Sequence, residues 1–165
     1  MPKFTSFDQI EKYLRQKIPQ SLGSSSGLAL EDYLKDEMYQ AIYDYVYSQW
    51  EPEIYIQRRD EGGLSDRRNM VMASPFINSS GQIQIEFENL TTGSDDAFSD
   101  NYIADLIEEG AAINNSNVYW EDPTGPWAEP RPFIQGMKEK IKSDPSTLIA
   151  VIKHALEQSG FMVKW

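Results

Sequence analysis

The stretch of helical periodicity over residues 28–50 constrains this chain more than any other feature. On a 3.6-residue repeat its apolar residues fall on one side of a helix, which is predicted to end near Trp50, before Pro52. That side consists of Leu34, Met38, Ala41, Ile42, Tyr45 and Val46. Because such a face has to be buried, we expect the rest of the chain to pack around this helix.

A second stripe of the same helix is aromatic. Tyr39, Tyr43 and Tyr47 are spaced four apart and therefore lie side by side next to the apolar face. One interpretation is a wide internal core face. The other is one side for the protein's own core and one side for a neighbouring subunit, since tyrosine is enriched at protein–protein contacts.

Length and composition predict a single domain over residues 1–165. Residues 1–27 are predicted to be an N-terminal helix and linker, and residues 28–165 the main body. The chain has no cysteine, which excludes disulfides and thiolate chemistry. It shows neither a signal-peptide pattern nor an apolar run long enough to span a membrane, so no membrane association is expected.

The net charge of −11 is concentrated in the middle of the chain. Residues 69–130 contain no Lys or Arg but eleven carboxylates, among which Glu86, Glu88, Glu108 and Glu109 are candidates for an acidic surface. Such a field repels nucleic acid and other anionic surfaces. The alternative interpretation is that these residues simply keep the protein soluble.

Two arginine pairs flank a Gly-Gly turn. Arg58 and Arg59 precede it, and Arg67 and Arg68 follow it. Their side chains either pair locally with the acidic residues of the same loop, which are Asp60, Glu61 and Asp66, or dock on the acidic surface of another molecule. Contact with a DNA backbone is a third interpretation, which the overall negative field disfavours.

The remaining pattern indicates an α+β fold. A helix capped by Ser6 is expected to end before Pro19, and residues 20–27 read as a flexible link. Strands are predicted at 70–77 and 82–88, joined by a turn, and a third at 161–165. A short helix ending at Gly110 and helices starting at Phe133 and after Asp144 complete the fold, with the C-terminal helix packed on the sheet. The long loop at 111–130 carries Trp120 and Trp127 and is expected to dock on something.

No constellation of residues predicts catalysis. The lone histidine, His154, falls on the polar side of its helix, zinc sites of Cys and His are excluded by count, and no glycine loop of phosphate-binding type is present. We therefore expect no catalytic residue, no metal site and no cofactor. Carboxylates are plentiful, so a carboxylate-dependent glycan hydrolase remains an alternative, although no spacing singles out a pair.

Three motifs, taken in order, resemble the tail-completion or head–tail joining proteins of long-tailed bacteriophages. They are Tyr55-Ile56-Gln57-Arg58 with Gly63-Leu64, the helix Tyr102-Ile103-Ala104-Asp105-Leu106-Ile107-Glu108-Glu109-Gly110, and Pro130-Arg131-Pro132-Phe133-Ile134. The resemblance spans most of residues 28–159. The chain departs from the family pattern where Gly62-Gly63-Leu64 replaces Thr-Gly-x-Leu, where Ala111 follows Gly110, and where Gly136 replaces a better helix former.

The resemblance implies a structural virion protein without catalytic residues. Such a protein is made in the host cytoplasm and forms a ring, typically hexameric, at the head–tail junction of the virion. The ring contacts the connector or stopper protein on one side and the tail tube protein on the other. DNA passes through the ring without being bound specifically. The candidate interface residues are Tyr39, Tyr43, Tyr47, Arg58, Arg59, Arg67, Arg68, Trp120, Trp127 and Arg131, and the candidate bore-lining residues are Glu86, Glu88, Glu108 and Glu109. A small acidic adaptor or inhibitor of a basic protein is a further alternative.

Overall fold

The computed structural model describes residues 3–24, 27–49, 58–92, 103–110 and 129–164. The described part contains helices α1 (Phe7–Leu22), α2 (Leu28–Ile42), α3 (Ile103–Glu109), α4 (Phe133–Ser143) and α5 (Ser146–Gln158). Its strands are β1 (Met70–Met72), β2 (Phe76–Ile77), β3 (Ile83–Gln84) and β4 (Phe87–Asn89). The predicted α+β class is confirmed.

The chain folds into two compact units, each built from separate segments. The first unit takes its described residues from Met1–Tyr33, Met72–Phe87 and Pro145–Trp165, and the second from Leu34–Val71 and Glu88–Asp144. The single domain predicted over residues 1–165 stays a prediction. None of the described helices has the length and apolar character needed to cross a bilayer.

Helix α1 of the first unit begins as predicted and ends later than predicted. Ser6 Oγ accepts a hydrogen bond from the Gln9 N–H (3.3 Å), as in a capping box. Gln9 Oε1 accepts one from the N–H of Thr5, the residue before the cap, and not from that of Ser6 (2.9 Å). The expected end before Pro19 is wrong, because the helix continues through Pro19 to Leu22, which is fully buried. Burial of this last turn offsets the hydrogen bond that proline cannot donate.

Helix α5 packs against α1 in the first unit, and α1 also contacts β2. Gly160, with a φ of 88°, ends α5: its N–H donates to Glu157 O (2.9 Å), and the Phe161 N–H donates to Leu156 O (3.0 Å). These two bonds form a Schellman motif. The predicted C-terminal strand is wrong, since residues 161–164 form no strand; the amide of Phe161 is already bonded to the helix instead of being available to a neighbouring strand.

The predicted hairpin is confirmed, but it is divided into two short ladders. Strand β2 pairs antiparallel with β3 in the register Phe76↔Gln84 and Ile77↔Ile83, while β1 pairs with β4. The division falls at Pro75 on one side, where proline has no N–H to offer a ladder. The alternation of Ile83, Ile85 and Phe87 with polar residues predicts one buried face of the second strand. This is wrong at Ile83, which is 43% exposed, because among the described residues the sheet at this point has two strands.

Helix α2 continues into a π-helical turn, Tyr43–Tyr47, which the sequence did not predict. Its hydrogen bond runs from the Ser48 N–H to Tyr43 O (2.8 Å), five residues back. The turn packs against α4. The apolar core of this second unit consists of Leu34, Met38, Ala41, Ile42, Val46, Leu64, Met70, Ala104, Phe133 and Met137.

The later helices begin and end close to their predicted positions. Gly110 follows α3 with a φ of 79°, the left-handed conformation expected of a glycine that ends a helix. Helix α4 begins at Phe133, as predicted. Helix α5 begins one residue later than expected, with Pro145 rather than Asp144 in the capping position.

Candidate functional site

The outward side of α2 and its π-helical turn is an exposed polar and aromatic surface in the second unit. Tyr39 is 37% and Tyr43 is 50% exposed, and Asp36, Gln40 and Asp44 beside them are exposed as well. We call these five residues the tyrosine face. Gln40 Nε2 donates to Asp44 Oδ1 (2.9 Å), which orders the middle of the surface. Of the two interpretations of the tyrosine stripe, an internal core face is therefore wrong for Tyr39 and Tyr43.

Tyr47 differs from the other two stripe residues because it lies against the arginine loop. The guanidinium of Arg59 sits over its ring, with Cζ 5.4 Å from the ring centroid, and its hydroxyl is 3.5 Å from Ser65 Oγ. A cation–π contact of this geometry stabilises an exposed site by roughly 0.5–1 kcal/mol. Arg59 holds this position with a φ of 42°, a left-handed conformation that is uncommon for a residue other than glycine.

Tyr45 is one residue that sequence reasoning misplaced. The 3.6-residue repeat predicts it on the buried apolar face, yet it is 40% exposed. Its ring lies against α4 at Gly136, where an ideal Cβ would be 2.4 Å from Tyr45 Cζ. The π-helical turn changes the angle between successive side chains, so the 3.6-residue repeat misplaces Tyr45, although Val46 in the same turn is buried as predicted.

The four arginines flanking the Gly-Gly turn all make contacts inside the second unit. Arg58 Nη2 donates to Thr92 O (2.8 Å), Arg67 pairs with the carboxylate of Asp36 on α2, and Arg68 Nε donates to Asp66 Oδ1 (2.9 Å). The predicted local pairing is thus confirmed for Arg68, while Arg67 finds its partner across 31 positions of sequence. The arginine side chains thereby help to hold the loop in one conformation.

Asp66 anchors the centre of this loop. The residue is buried, and its Oδ2 accepts a hydrogen bond from the Gly62 N–H (2.7 Å). The hydrogen bond from the Arg68 side chain holds the pKa of Asp66 well below its ordinary value, and the backbone N–H groups of Arg68 and Gly62 act in the same direction against the opposing effect of burial. The carboxylate is therefore ionised throughout the neutral range.

A buried polar network supports the other side of the loop. Asn89 Nδ2 donates to Leu64 O (2.8 Å), and Asn89 Oδ1 accepts from the hydroxyl of Thr91 (2.6 Å). Asn69 Nδ2 in turn donates to Thr91 Oγ1 (3.1 Å). A Cβ on Gly63 would be 2.5 Å from the backbone of Arg59, so only glycine fits this turn. The Gly63-Leu64 motif is thus a structural requirement of the loop.

Glu108 joins the short helix to α4. Its two carboxylate oxygens accept hydrogen bonds from the N–H groups of Ile134 (2.7 Å, Oε2) and Gln135 (2.9 Å, Oε1) in the first turn of α4. The Arg131 N–H donates to Ile107 O (2.9 Å) beside it. The carboxylate satisfies two amides that the helix itself leaves unbonded and complements the positive end of the helix dipole.

Of the remaining candidates, some are exposed or half-buried, and others lie outside the described residues. Glu86, Glu88 and Glu109 are exposed, and Arg131 is half-buried. Trp120 and Trp127 lie outside the described residues, as do Trp50 and the Tyr55-Ile56-Gln57 part of the first motif. His154 is exposed, as predicted. Among the described residues, no group of three His, Cys, Asp or Glu is placed to hold a metal ion.

One known protein family matches almost the whole chain. The family model described as YomN matches residues 6–158. This chain belongs to the YomN family. That family is phage-associated, which agrees in origin with the resemblance to bacteriophage proteins. Neither a curated protein nor a solved structure matches the chain.

The region matched by the YomN family model contains both the sequence motifs and the tyrosine face. The matched region includes Gly63-Leu64, Glu108 and the Arg131-Pro132-Phe133 helix start, each of which makes backbone contacts within the second unit. These positions maintain the fold. In this YomN-family chain the tyrosine face is different, because the side chains of Tyr39 and Tyr43 make no hydrogen bond and no ring contact within the described residues.

Proposed function

We propose that this chain is a structural virion protein of a tailed phage, which forms a ring at the head–tail junction and joins the connector to the tail tube. The observation that carries the proposal is the exposed tyrosine face on the central helix of a phage-associated chain. Two tyrosine rings left in solvent beside a well-packed core suit a protein that acts by binding its neighbours.

The organisation of the arginine loop supports an assembly role over an enzymatic one. Its charged and polar groups bond to one another and to the backbone around Gly63, an arrangement that holds a surface in shape. In this proposal the chain carries no catalytic residue, and DNA passes the ring without specific binding because the net charge of −11 repels it. The bore-facing role belongs to the same proposal for the exposed Glu86, Glu88 and Glu109. Glu108, the fourth predicted bore residue, is not included, because its carboxylate is bonded to the first turn of α4.

Deleting the gene from its phage tests the proposal directly. We expect particles to accumulate as filled heads and separate, complete tails, visible by negative-stain electron microscopy, and infectious virions to return when the gene is supplied from a plasmid. Intact virions with normal head–tail joints after deletion would refute the proposal. Complementation with the Glu86→Gln/Glu88→Gln/Glu109→Gln variant tests the acidic bore. We expect heads and tails to join, but the particles to fail to eject their DNA. Fully infectious particles would refute the bore assignment.

A further inference from the structure

We propose that the tyrosine face receives an arginine-bearing segment of a different protein. This inference deepens the proposed function, since in a joined particle that protein is a structural neighbour, but the interaction itself is a property of the purified chain. The ligand is defined by chemistry: guanidinium groups that stack on Tyr39 and Tyr43 and pair with the carboxylate of Asp44.

The geometry of the face fits such a ligand. Tyr39 and Tyr43 are one helical turn apart, so their rings are neighbours on the same side of the helix. Asp44 lies beside them, and one of its oxygens is bonded only to a neutral amide, that of Gln40. A planar cation can therefore cover a ring and reach a carboxylate at the same time.

The chain already uses this chemistry along the same helix. Arg67 pairs with Asp36 at the N-terminal end of the tyrosine face, and Arg59 covers the ring of Tyr47, one turn beyond its C-terminal end. Between them lie the ring faces of Tyr39 and Tyr43, which no arginine of the described chain covers. The tyrosine rings and the Asp44 carboxylate are of the same residue types as the groups that bind these two arginines.

Charge decides which partner comes to this surface. The chain carries a net charge of −11, which attracts a basic partner over a distance. The arginines of its own loop, at positions 58, 59, 67 and 68, already have partners within the second unit, so a second copy is a poor source of the guanidinium groups. Arginine suits the site better than lysine because its planar guanidinium is weakly hydrated and stacks on aromatic rings. We therefore assign the face to a basic segment of another protein.

Binding of short fluorescent peptides to the purified full-length chain tests this assignment. Hexa-arginine should bind more tightly than hexa-lysine, as measured by fluorescence anisotropy at physiological ionic strength, and hexa-glutamate should not bind. The double variant Tyr39→Phe/Tyr43→Phe keeps both rings and should bind hexa-arginine like the wild type. The double variant Tyr39→Leu/Tyr43→Leu keeps apolar bulk but loses the rings, so its affinity should fall by about two- to five-fold per ring.

Two further variants sharpen the comparison. Asp44→Asn should weaken hexa-arginine binding while leaving the rings in place. Tyr13→Leu, which removes a ring that contacts Phe4 in the first unit, is the matched control and should leave the affinity unchanged. Circular dichroism melting of each variant checks that the fold is retained.

Several results would overturn the assignment. Equal affinity of hexa-arginine for the wild type and the leucine double variant would mean that the peptide is attracted only by the overall negative charge. Self-association of the wild type in sedimentation experiments, lost in the leucine double variant, would assign the face to a second copy instead. A phage that joins heads to tails without this gene would refute the proposed function and leave the peptide measurements standing.

Discussion

Tyr45 occupies the space that any side chain at position 136 would need. An ideal Cβ built on Gly136 would be 2.4 Å from Cζ of the Tyr45 ring and 2.8 Å from its hydroxyl oxygen. Gly136 is buried inside α4, where glycine is normally unfavourable for a helix. The close approach of the ring therefore explains a residue choice that looked like a weakness in the sequence.

Gly136→Ala is expected to destabilise the protein in spite of its better helix propensity. Overpacking at a closely packed site costs roughly 1–3 kcal/mol, whereas replacing a helical glycine by alanine gains about 0.5–1 kcal/mol. Urea denaturation followed by circular dichroism should show the loss. The double variant Gly136→Ala/Tyr45→Ala removes the clash and should recover part of it.

Lys138→Ala is the control for that experiment, because Lys138 is exposed on the same helix. Its effect should stay within about 0.5 kcal/mol of zero. A Gly136→Ala variant as stable as this control would contradict the packing of Tyr45 against α4.

Glu108→Ala is expected to loosen the start of α4. The substitution leaves the N–H groups of Ile134 and Gln135 without their side-chain acceptor, and the loss of such a cap costs about 0.5–2 kcal/mol. Hydrogen exchange measured by NMR should accelerate at these two amides before it changes elsewhere in α4. Glu108→Gln keeps an acceptor oxygen and loses the charge, so it should fall between the wild type and the alanine variant.

Asp105→Asn is the matched control, since Asp105 is an exposed carboxylate on the same short helix. It should leave exchange at Ile134 and Gln135 unchanged. Equal acceleration in both variants would show that negative charge in α3, and not the Glu108 contact, protects these amides.

Thr91→Val is expected to lower the stability of the arginine loop. Valine keeps the shape of the side chain, but Asn89 Oδ1 then loses the hydroxyl donor at 2.6 Å and keeps only the Thr91 N–H at 3.1 Å, and Asn69 Nδ2 loses an acceptor. The loss of a hydrogen bond within such a network costs about 0.5–1.5 kcal/mol. Thr92→Val next to it is an exposed control and should be nearly neutral in the same denaturation experiment. Identical curves for the two variants would argue against a role for the network.

The elements that could be predicted from sequence are those with a local cause. Ser6 and Gln9 cap α1 within a few residues, Gly110 and Gly160 take up positive φ directly after their helices, and the apolar repeat of α4 begins at Phe133. Each depends on neighbours no more than a turn away. The positions of these helix ends therefore depend little on the rest of the fold.

The features that escaped prediction depend on contacts distant in sequence. The Glu108 carboxylate meets amides 26 and 27 positions later, and Arg67 meets Asp36 across 31 positions. The π-helical turn at Tyr43 packs against α4, and no local sequence pattern predicts this packing. Because such distant contacts cannot be read from the sequence, the sequence predicts the loop arginines as candidate docking residues, whereas the structure shows them bonded within the second unit. Among the described residues, Tyr39 and Tyr43 are the predicted interface residues that stay exposed without such contacts.

The Asp66 carboxylate should make the free energy of unfolding depend on pH in the acidic range. Its pKa lies well below the ordinary value when the chain is folded, mainly because of the hydrogen bond from the Arg68 side chain. In the unfolded chain an aspartate titrates near its ordinary pKa of about 3.9. The unfolded state therefore binds the proton first as the pH falls. The stabilising contribution of Asp66 is complete above about pH 5, and it is lost as the pH falls through 4 toward the folded pKa.

Asp66→Asn should remove this part of the acid sensitivity. At pH 7 the variant should be less stable by about 1–3 kcal/mol, because the Arg68 side chain and the Gly62 N–H lose a charged acceptor. Between pH 5 and pH 3 its free energy of unfolding should fall less steeply than that of the wild type, in urea titrations at a series of pH values. Glu88→Gln, which removes an exposed carboxylate, should keep the wild-type slope. A wild-type slope in Asp66→Asn would mean that other carboxylates carry the acid dependence.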